Sequence, residues 1–466
     1  MKLKEFLEQL FRGWVPVEAK MPKKWWTTDI GITIAVLIGF SFMVFILLNS
    51  SIIVLNGSSS IRWSQTYEEL RCYNSLVETS DGGFAFISAT SENFLLINTD
   101  ESGNILWNKT FENTGDFGLG RLIEASDGGF VLCGYSFDNG YDARLAKTDS
   151  VGNLLWTRTY DADGDEEAFL IGETSDGGFA LGGQATPPES GTNDFWLAKI
   201  DGSGNMLWSQ TYGGPGFESL GSLVETSDRG FALAGTTSSY GTYNSFWLVR
   251  TDGSGNMVWS QTYGGGIHQG YLQRVIALSD GGFFLGSSVM QFDGNVDFWF
   301  AKTDALGNIK WEKTHNEGKN EYLQSVVKTP DGGFILAGTK YEFEPEEMPI
   351  HTHFLGDGLL VRIDNSGNMI WNQTYPGTGS AQNSNFLINT SNGGYILLGH
   401  KLSSLGSFDF PLYDAYIAKI EEDQIVQELV FPNLIILVIL VVFVIGTSAL
   451  LVISKITKRK KSRVIV

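Results

Sequence analysis

Cysteine and proline are both scarce in this 466-residue sequence, which contains 2 and 11 of them. Two cysteines do not make a disulfide framework. Cys72 and Cys133 also belong to different repeat units and to non-equivalent strands, so we expect no bond between them. Glycine is abundant at 56 residues, and aromatic residues make up 13% of the chain. This composition favours many short strands joined by tight turns.

Positive charge is scarce in the central part of the chain. Residues 56–428 contain 20 Lys and Arg against 48 Asp and Glu. Such a surplus of negative charge repels nucleic acid, which we exclude as a partner. Solubility is the simpler explanation for the surplus. Attraction of cations or basic partners is the alternative.

Charge is absent from two apolar segments, residues 30–48 and 430–454. Each is long enough to cross a bilayer as a helix. Lys and Arg cluster outside both segments, so the positive-inside rule places both termini in the cytoplasm and the region between them outside the cell membrane. A cleaved signal peptide is the competing explanation for the first segment. The predicted organisation runs as follows: a cytoplasmic segment at 1–29, a transmembrane helix and its exit at 30–55, an extracytoplasmic domain at 56–428, a second transmembrane helix at 429–454, and a basic tail at 455–466.

Residues 2–14 show a helical pattern of apolar side chains. Leu3, Phe6, Leu7, Leu10, Phe11 and Trp14 recur at helical spacing among charged residues. This pattern predicts an amphipathic helix on the cytoplasmic leaflet. A helix that binds a partner protein is the alternative.

Two motifs repeat through the central region. The motif SDGGF or a close variant occurs seven times, with its acid or amide at Asp81, Asp127, Asp176, Asp228, Asp280, Asp331 and Asn392. The motif D-x-x-G-N-x-x-W occurs six times, and the seventh unit stops before its tryptophan. A tryptophan in the orphan stretch IRWSQTY, at the start of the region, completes the set of Trp63, Trp107, Trp156, Trp208, Trp259, Trp311 and Trp371.

Each unit contains four short β-rich runs separated by Asp-Gly and Gly-Asn turns, which is the pattern of a β-propeller blade. A propeller must close, because an open edge strand invites aggregation. We therefore predict an all-β, seven-bladed propeller in which IRWSQTY pairs with residues 414–420 and completes the seventh blade. The tryptophans are predicted to dock adjacent blades.

The repeat also divides the propeller into two rims. The SDGG and D-x-x-G-N turns must lie on one rim, which we call the turn rim. The loops between second and third strands and the connections between blades lie on the other, which we call the variable rim because these segments differ in every unit. Both ends of the propeller fall on the turn rim, so we expect this rim to face the bilayer and the variable rim to face outward.

The stretch TDGSGNMLW resembles the tryptophan-docking repeat of pyrroloquinoline-quinone-type propellers, although its Asp-to-Gly spacing is one residue shorter. The full unit, TSDGGF followed by DFWLxKxDxxGNxxW, is more similar to the repeat of uncharacterised surface propellers in archaea and bacteria. The resemblance implies architecture and little about activity. Vicinal cysteines of the quinoprotein apparatus are missing, so no cofactor is inferred.

Three groups of residues are candidates for binding. Glu166, Glu218 and Glu321 each stand ten residues before the acid of their turn, near the outer end of the innermost strands. Clustered there, they would raise one another's pKa or hold Ca²⁺ or another divalent cation; otherwise each bonds backbone amides of the next blade. The Asp of each D-G-S-G-N turn is either a calcium ligand or a cap of its own turn.

The longest insertion, at 341–358, offers His351 and His353 among four glutamates as a zinc-type site, with a solvated acidic loop as the alternative. The sequons at Asn49, Asn56, Asn108, Asn372 and Asn389 are possible glycosylation sites in an organism with the machinery, if they lie outside the membrane.

No nucleophile elbow, HExxH motif or phosphate-cradling loop is present. Our first hypothesis is therefore a membrane-anchored propeller that binds a ligand or partner through the variable rim. An extracytoplasmic enzyme acting on glycans, or using a bound cofactor or metal, is the second hypothesis. A structural component of the cell envelope is the third.

Overall fold

The computed structural model describes residues 59–422, except for 69, 90–92, 113–116, 137–139, 162–163, 188–190, 242–244, 265–271, 292–293, 342–354, 381–385 and 406–410. The amphipathic segment, both uncharged segments and the basic tail lie outside the described residues. No helix able to span a membrane occurs in the part of the chain that the structure describes.

The described residues form 28 β-strands in seven antiparallel sheets of four strands. Blade 1 contains β2 (Arg71–Glu78), β3 (Phe84–Ala89), β4 (Asn93–Thr99) and β5 (Ile105–Glu112). Blade 2 contains β6 (Phe117–Glu124), β7 (Phe130–Ser136), β8 (Asp142–Thr148) and β9 (Leu154–Tyr160). Blade 3 contains β10 (Asp165–Glu173), β11 (Phe179–Thr186), β12 (Asp194–Ile200) and β13 (Met206–Tyr212). Blade 4 contains β14 (Glu218–Glu225), β15 (Phe231–Thr237), β16 (Ser245–Thr251) and β17 (Met257–Tyr263).

The remaining three blades follow the same order. Blade 5 contains β18 (Leu272–Ala277), β19 (Phe283–Met290), β20 (Val296–Thr303) and β21 (Ile309–His315). Blade 6 contains β22 (Asn320–Lys328), β23 (Phe334–Tyr341), β24 (Leu355–Ile363) and β25 (Met369–Ser380). Blade 7 contains β26 (Phe386–Asn389), β27 (Tyr395–Leu405) and β28 (Pro411–Glu422), and β1 (Ser59–Tyr67) completes it.

The seven sheets form a closed ring. The first strand of each blade contacts the first strand of the next, and β26 of blade 7 contacts β2 of blade 1. First strands therefore line the centre. In blade 4 the third strand β16 is buried at every residue, while the fourth strand β17 is buried only at its last residue. Fourth strands are thus the outer edges of the blades, and the apolar core lies between adjacent sheets.

The ring closes through the first and last described strands, and the prediction of a seven-bladed all-β propeller is confirmed. β1 pairs with β28 along its length, from Ser59 opposite Glu422 to Tyr67 opposite Ala415, with a bulge before Trp63. Blade 7 is therefore built from both ends of the propeller.

The repeated tryptophans dock each blade onto the turn of the next. In six interfaces the indole lies against the glycine of the following D-x-x-G-N turn, and a Cβ on that glycine would meet a tryptophan ring carbon at 2.6–2.9 Å. These glycines also have positive φ, so no other residue suits the position. Trp63, in the β1 strand of blade 7, makes this contact with Gly103 of blade 1. Trp371 faces blade 7, where the turn is missing, and it packs in the core beside Tyr395 and Ile420.

Hydrogen bonds join the blades on the turn rim as well. The Tyr67 hydroxyl donates to the carbonyl oxygen of Gly103 at 2.5 Å, and Tyr160, Tyr212 and Tyr263 make the same bond to the next turn. The Glu78 carboxylate accepts bonds of 2.7 and 2.9 Å from the amide and hydroxyl of Ser391. These bonds join blade 1 to blade 7. Equivalent bonds from a serine amide to a glutamate of the next blade occur at three other interfaces.

The carboxylates of the two repeated turns accept hydrogen bonds from nearby groups. Both oxygens of Asp201 accept bonds from its own turn, at 2.8–2.9 Å from the amides of Ser203 and Asn205 and from the Asn205 side chain. These bonds lower the pKa of Asp201. In the SDGG turn, Asp176 accepts a 2.8 Å bond from the largely buried Lys199. Each acid therefore fixes the turn that contains it.

Cys133 is a free, fully buried thiol, and burial raises its pKa to about 12. The side chain of Cys72 lies outside the described residues. The Cys133 thiol is therefore protected from oxidation by its surroundings.

Replacing Gly103 by alanine tests the docking contact. Gly103 and Gly82 both have positive φ, but a Cβ at Gly82 meets no atom within 4 Å. We expect Gly82→Ala to lower the free energy of unfolding by about 1–2 kcal/mol through backbone strain alone. Gly103→Ala should lose about 1–3 kcal/mol more, because Trp63 must move. Guanidinium denaturation of both variants measures the difference, and equal losses would argue against docking through this contact.

Candidate functional site

The three predicted glutamates lie on the variable rim, one at the start of β10, one at the start of β14 and one at the start of β22. Glu166, Glu218 and Glu321 are at most 1% exposed, so they lie between blades rather than in open solvent. They belong to blades 3, 4 and 6, and the structure does not bring them together. Each instead faces an acid of the preceding blade.

The partner acids lie at the first or second position of the third strands, 24 residues before each glutamate. They form the pairs Asp142 with Glu166, Asp194 with Glu218, and Asp297 with Glu321. The backbone amides of Glu166 and Glu218 donate to the residues that precede the partner acids, Tyr141 and Asn193, at 2.5 and 2.8 Å. In blade 6, Asn320 accepts a 2.8 Å bond from the amide of Val296 instead.

Asp194 and Glu218 show how such a pair is held. Glu218 accepts bonds from the Thr237 hydroxyl at 2.7 Å and from the amides of Ser239 and Gly214 at 3.2 Å. A Cβ at Gly213 would lie 1.8 Å from the Asp194 carboxylate, so glycine is required for the two acids to approach. Burial, followed by the hydrogen bond and the charge of Glu218, raises the pKa of Asp194 to about 6. The pair therefore shares a proton below that pH. The glutamate bonds amides of its own blade and connection, and not those of the next blade.

A cluster of polar side chains lies at the blade 5–6 interface. His315, Glu317 and Glu321 can each place one ligand atom within 4.8 Å of the other two. The Glu321 carboxylate accepts a 2.8 Å bond from the amide of Glu317, while its second oxygen is buried without a hydrogen-bond partner among the described residues. Burial, together with the charges of Glu317 and Asp297, raises the pKa of Glu321 to about 8.

His315 completes this cluster in its neutral form. Its side chain is 10% exposed, and burial lowers its pKa. Neutral imidazole with two carboxylates is a donor set of the zinc type. Glu317 also pairs with Lys340 and accepts a bond from Asn372. A cation at this site would therefore have to displace the Lys340 ammonium from Glu317.

A second group, Asp142, Asp161 and Glu166, lies at the blade 2–3 interface and has the same 4.8 Å limit. Its oxygen-only donors suit Ca²⁺ better than Zn²⁺. His351 and His353 fall in the insertion outside the described residues. That insertion leaves blade 6 after Tyr341 and returns at Leu355, and Lys340 is the strand partner of Glu321. The insertion therefore begins beside the cluster.

The three sequons inside the described residues differ in their surroundings. Asn108 is exposed, and its side chain makes no hydrogen bond to another described residue. Asn372 donates to Glu317, and Asn389 donates to the carbonyl oxygen of Lys328 at 2.8 Å. Of these three, Asn108 has the side chain best placed to accept a glycan.

No family model matches the sequence, and none of the curated proteins matches it. Among solved structures, a europium-containing methanol dehydrogenase is 10% identical with a TM-score of 0.43, over 78% of this chain and 93% of that one. A member of the DUF4221 family from Bacteroides vulgatus is 11% identical with a TM-score of 0.40, over 79% and 98%. A protein of unknown function from Dyadobacter fermentans is 10% identical with a TM-score of 0.42, over 78% and 99%. The propeller assignment rests on the strand pairing of this chain itself.

The acids near the start of the third strands were not predicted from the sequence, and neither was His315. The constant spacing of 24 residues was the available signal for the acids. His315 replaces the tyrosine that ends the fourth strand in five of the seven repeats, and this break in the repeat was the available signal for it.

The raised pKa of Glu321 makes stability depend on pH. The unfolded carboxyl ionises near its ordinary value of 4.5, while the folded one holds its proton to about 8, so stability falls as pH rises through this interval. Glu321→Gln removes the titration. We expect the variant to gain about 1–3 kcal/mol relative to wild type between pH 5 and pH 8. Chemical denaturation at both pH values measures this, with exposed Glu101→Gln as control. A pH-independent difference would refute it.

Proposed function

We propose that this chain is a membrane-anchored propeller that stands outside the cytoplasm and binds a ligand or protein partner through its variable rim. A propeller of this kind is compatible with a binding module. Two uncharged segments flank it in the sequence, with basic residues beyond both. The chain enters and leaves the propeller at Ser59 and Glu422, which pair with each other. The membrane-facing side is therefore expected to be the turn rim.

A collar of exposed apolar side chains on the turn rim carries this proposal. In every blade the residue two positions before the docking tryptophan is apolar and 37–55% exposed: Ile61, Ile105, Leu154, Met206, Met257, Ile309 and Met369. In four blades the next residue, Leu106, Leu155, Leu207 or Val258, is also apolar and more exposed. Repeated apolar exposure of this kind marks an interaction surface. A lipid surface fits it, because Ser59 and Glu422, the described residues nearest in sequence to the two uncharged segments, lie at this rim.

The opposite rim has the properties of a recognition surface. Its loops differ from blade to blade, and it exposes single large side chains such as Phe217, Tyr240 and Tyr322. The acid pairs and the His315 cluster lie at this rim, and the His315 cluster is beside the point where the blade 6 insertion begins. Binding specificity usually resides in such loops on a rigid scaffold.

Lipid-borne quenching tests the orientation. A fluorophore is placed at Leu207→Cys or Phe217→Cys in full-length protein in nanodiscs, with Cys72→Ser; buried Cys133 does not compete for the label. Nitroxide-labelled lipid should quench the probe at position 207, beside the turn rim, and spare the probe at position 217. Quenching of 217 alone, or of neither position, contradicts the proposed orientation.

Recognition is tested separately by capture from the surface of the native cells. Full-length protein should retain a specific partner that a variant lacking residues 343–353 loses. Val151→Asn, an exposed change on the turn rim, should retain it. Equal capture by all three proteins would argue against a site at the blade 6 insertion, and no capture would favour a structural role in the envelope.

An extracytoplasmic enzyme is the second candidate, and the His315 cluster favours it. Strongly shifted carboxyl pKa values gather at catalytic sites as well as in structural networks. Hydrolysis of a glycan or other substrate by wild-type protein, lost in both Glu321→Gln and His315→Gln, would move the assignment to an enzyme.

A further inference from the structure

Three large side chains from three separate blades meet in the central channel. The guanidinium carbons of Arg121 in β6 and Arg274 in β18 each lie 5.5 Å from the centroid of the Phe386 ring in β26. These first strands belong to blades 2, 5 and 7, none of which are neighbours in the ring. Residues of non-adjacent blades can meet only across the centre of the ring, so all three side chains project into the channel.

The three residues occupy the same repeat position, six residues before the acid or amide of their SDGG-type turn. The same position is serine in three other blades, Ser75, Ser222 and Ser325, and Leu170 in blade 3. First-strand bulges fall at this level, between Leu119 and Leu122 in blade 2 and between Leu272 and Arg274 in blade 5. A bulge re-aims the side chains next to it.

The three serine hydroxyls make hydrogen bonds to the backbones of the strands that carry Arg121, Arg274 and Phe386. The Ser75 hydroxyl accepts a 2.5 Å bond from the amide of Leu122, which follows Arg121. The Ser222 hydroxyl accepts a 3.1 Å bond from the amide of Val275, which follows Arg274. The Ser325 hydroxyl donates a 3.2 Å bond to the carbonyl oxygen of Leu387, which follows Phe386. Each large residue thus has a small neighbour that leaves space and fixes its backbone.

The positive charge of Arg121 has no counterion among the described residues. Its guanidinium makes no ion pair or hydrogen bond to another described residue, in a domain with 48 acids. Burial lowers the pKa of both arginines, and the charge of Arg121 lowers that of Arg274 as well. The two like charges therefore repel each other, and an anion bound beside Arg121 would relieve this repulsion.

We propose that Arg121, Arg274 and Phe386 form a binding site for a small oxyanion, a phosphate or carboxylate group, in the central channel. Guanidinium groups bind such oxyanions through paired, charge-assisted hydrogen bonds. The phenyl ring holds both cations in place by cation–π contact. The acidic surface of the domain does not cancel the attraction, because salt screens charges beyond about 8–10 Å.

Titration calorimetry on the full-length protein in detergent tests this site. Sodium phosphate and sodium citrate are added separately, against sodium chloride of equal ionic strength. Saturable binding of one anion per chain is expected. Binding of phosphate alone identifies a phosphate-type ligand, and binding of citrate alone identifies a carboxylate-type ligand. Each outcome supports the site if it depends on the arginines.

Arg121→Gln and Arg274→Gln should each weaken binding by about tenfold or more. Arg158→Gln is the matched control, because Arg158 also lies over an aromatic ring, that of Trp156, but on the exposed outer strand. Its binding should equal that of wild type. Saturable binding of neither anion, or unchanged binding in both channel variants, would overturn the proposal.

A thermal measurement on wild-type protein covers the case in which the channel variants do not fold. At low millimolar concentrations, where the general stabilising effect of kosmotropic salts is small, the bound anion should raise the melting temperature in a saturable way above that in chloride of equal ionic strength. A role of the arginines as packing alone predicts no such rise, and its absence would also overturn the proposal.

Discussion

The antiparallel pairing of β1 with β28 is the interaction on which the whole ring depends. Every other blade is one continuous piece of chain, whereas blade 7 joins segments that lie more than 300 residues apart. Two further contacts cross from blade 7 to blade 1: Trp63 on Gly103, and Glu78 on Ser391. No hairpin turn joins β28 to β1, because the chain enters the propeller at Ser59 and leaves it at Glu422. At this position the Ser59 hydroxyl shares a 2.7 Å hydrogen bond with the Tyr375 hydroxyl. The equivalent tyrosines of other blades bond the carbonyl oxygen of a turn glycine instead.

The turn rim and the variable rim obey different constraints. On the turn rim, capped acids, positive-φ glycines and docked tryptophans repeat from blade to blade, because each turn must fit the next blade. Among the described residues of the variable rim no such contact recurs in every blade, and the acid pairs lie at three of the seven interfaces. The candidate binding residues therefore lie at positions that depart from the repeat, as His315, Arg121 and Arg274 do. A scaffold held by local repeats can tolerate such departures without losing its fold.

The architecture was predictable because its determinants are local. Asp-Gly and Gly-Asn turns fix the hairpins, and an orphan strand opposite an incomplete unit fixes the closure. The positions of Glu166, Glu218 and Glu321 on first strands were predictable for the same reason. Their partners were not, because Asp194 reaches Glu218 only through the packing of one blade on another. The meeting of Arg121, Arg274 and Phe386 depends on three non-adjacent blades, which no spacing in the sequence encodes.

Hydrogen exchange of the first strand tests the closed ring most directly. The amides of residues 61–67 in β1 should exchange as slowly as those of β13 and β17, the fourth strands of blades 3 and 4, because all three pair with a third strand in the same way. The same protection in β28 would complete the result. Rapid exchange of 61–67 beside a protected β13 would mean that blade 7 is not sealed by the start of the propeller, and it would contradict the account.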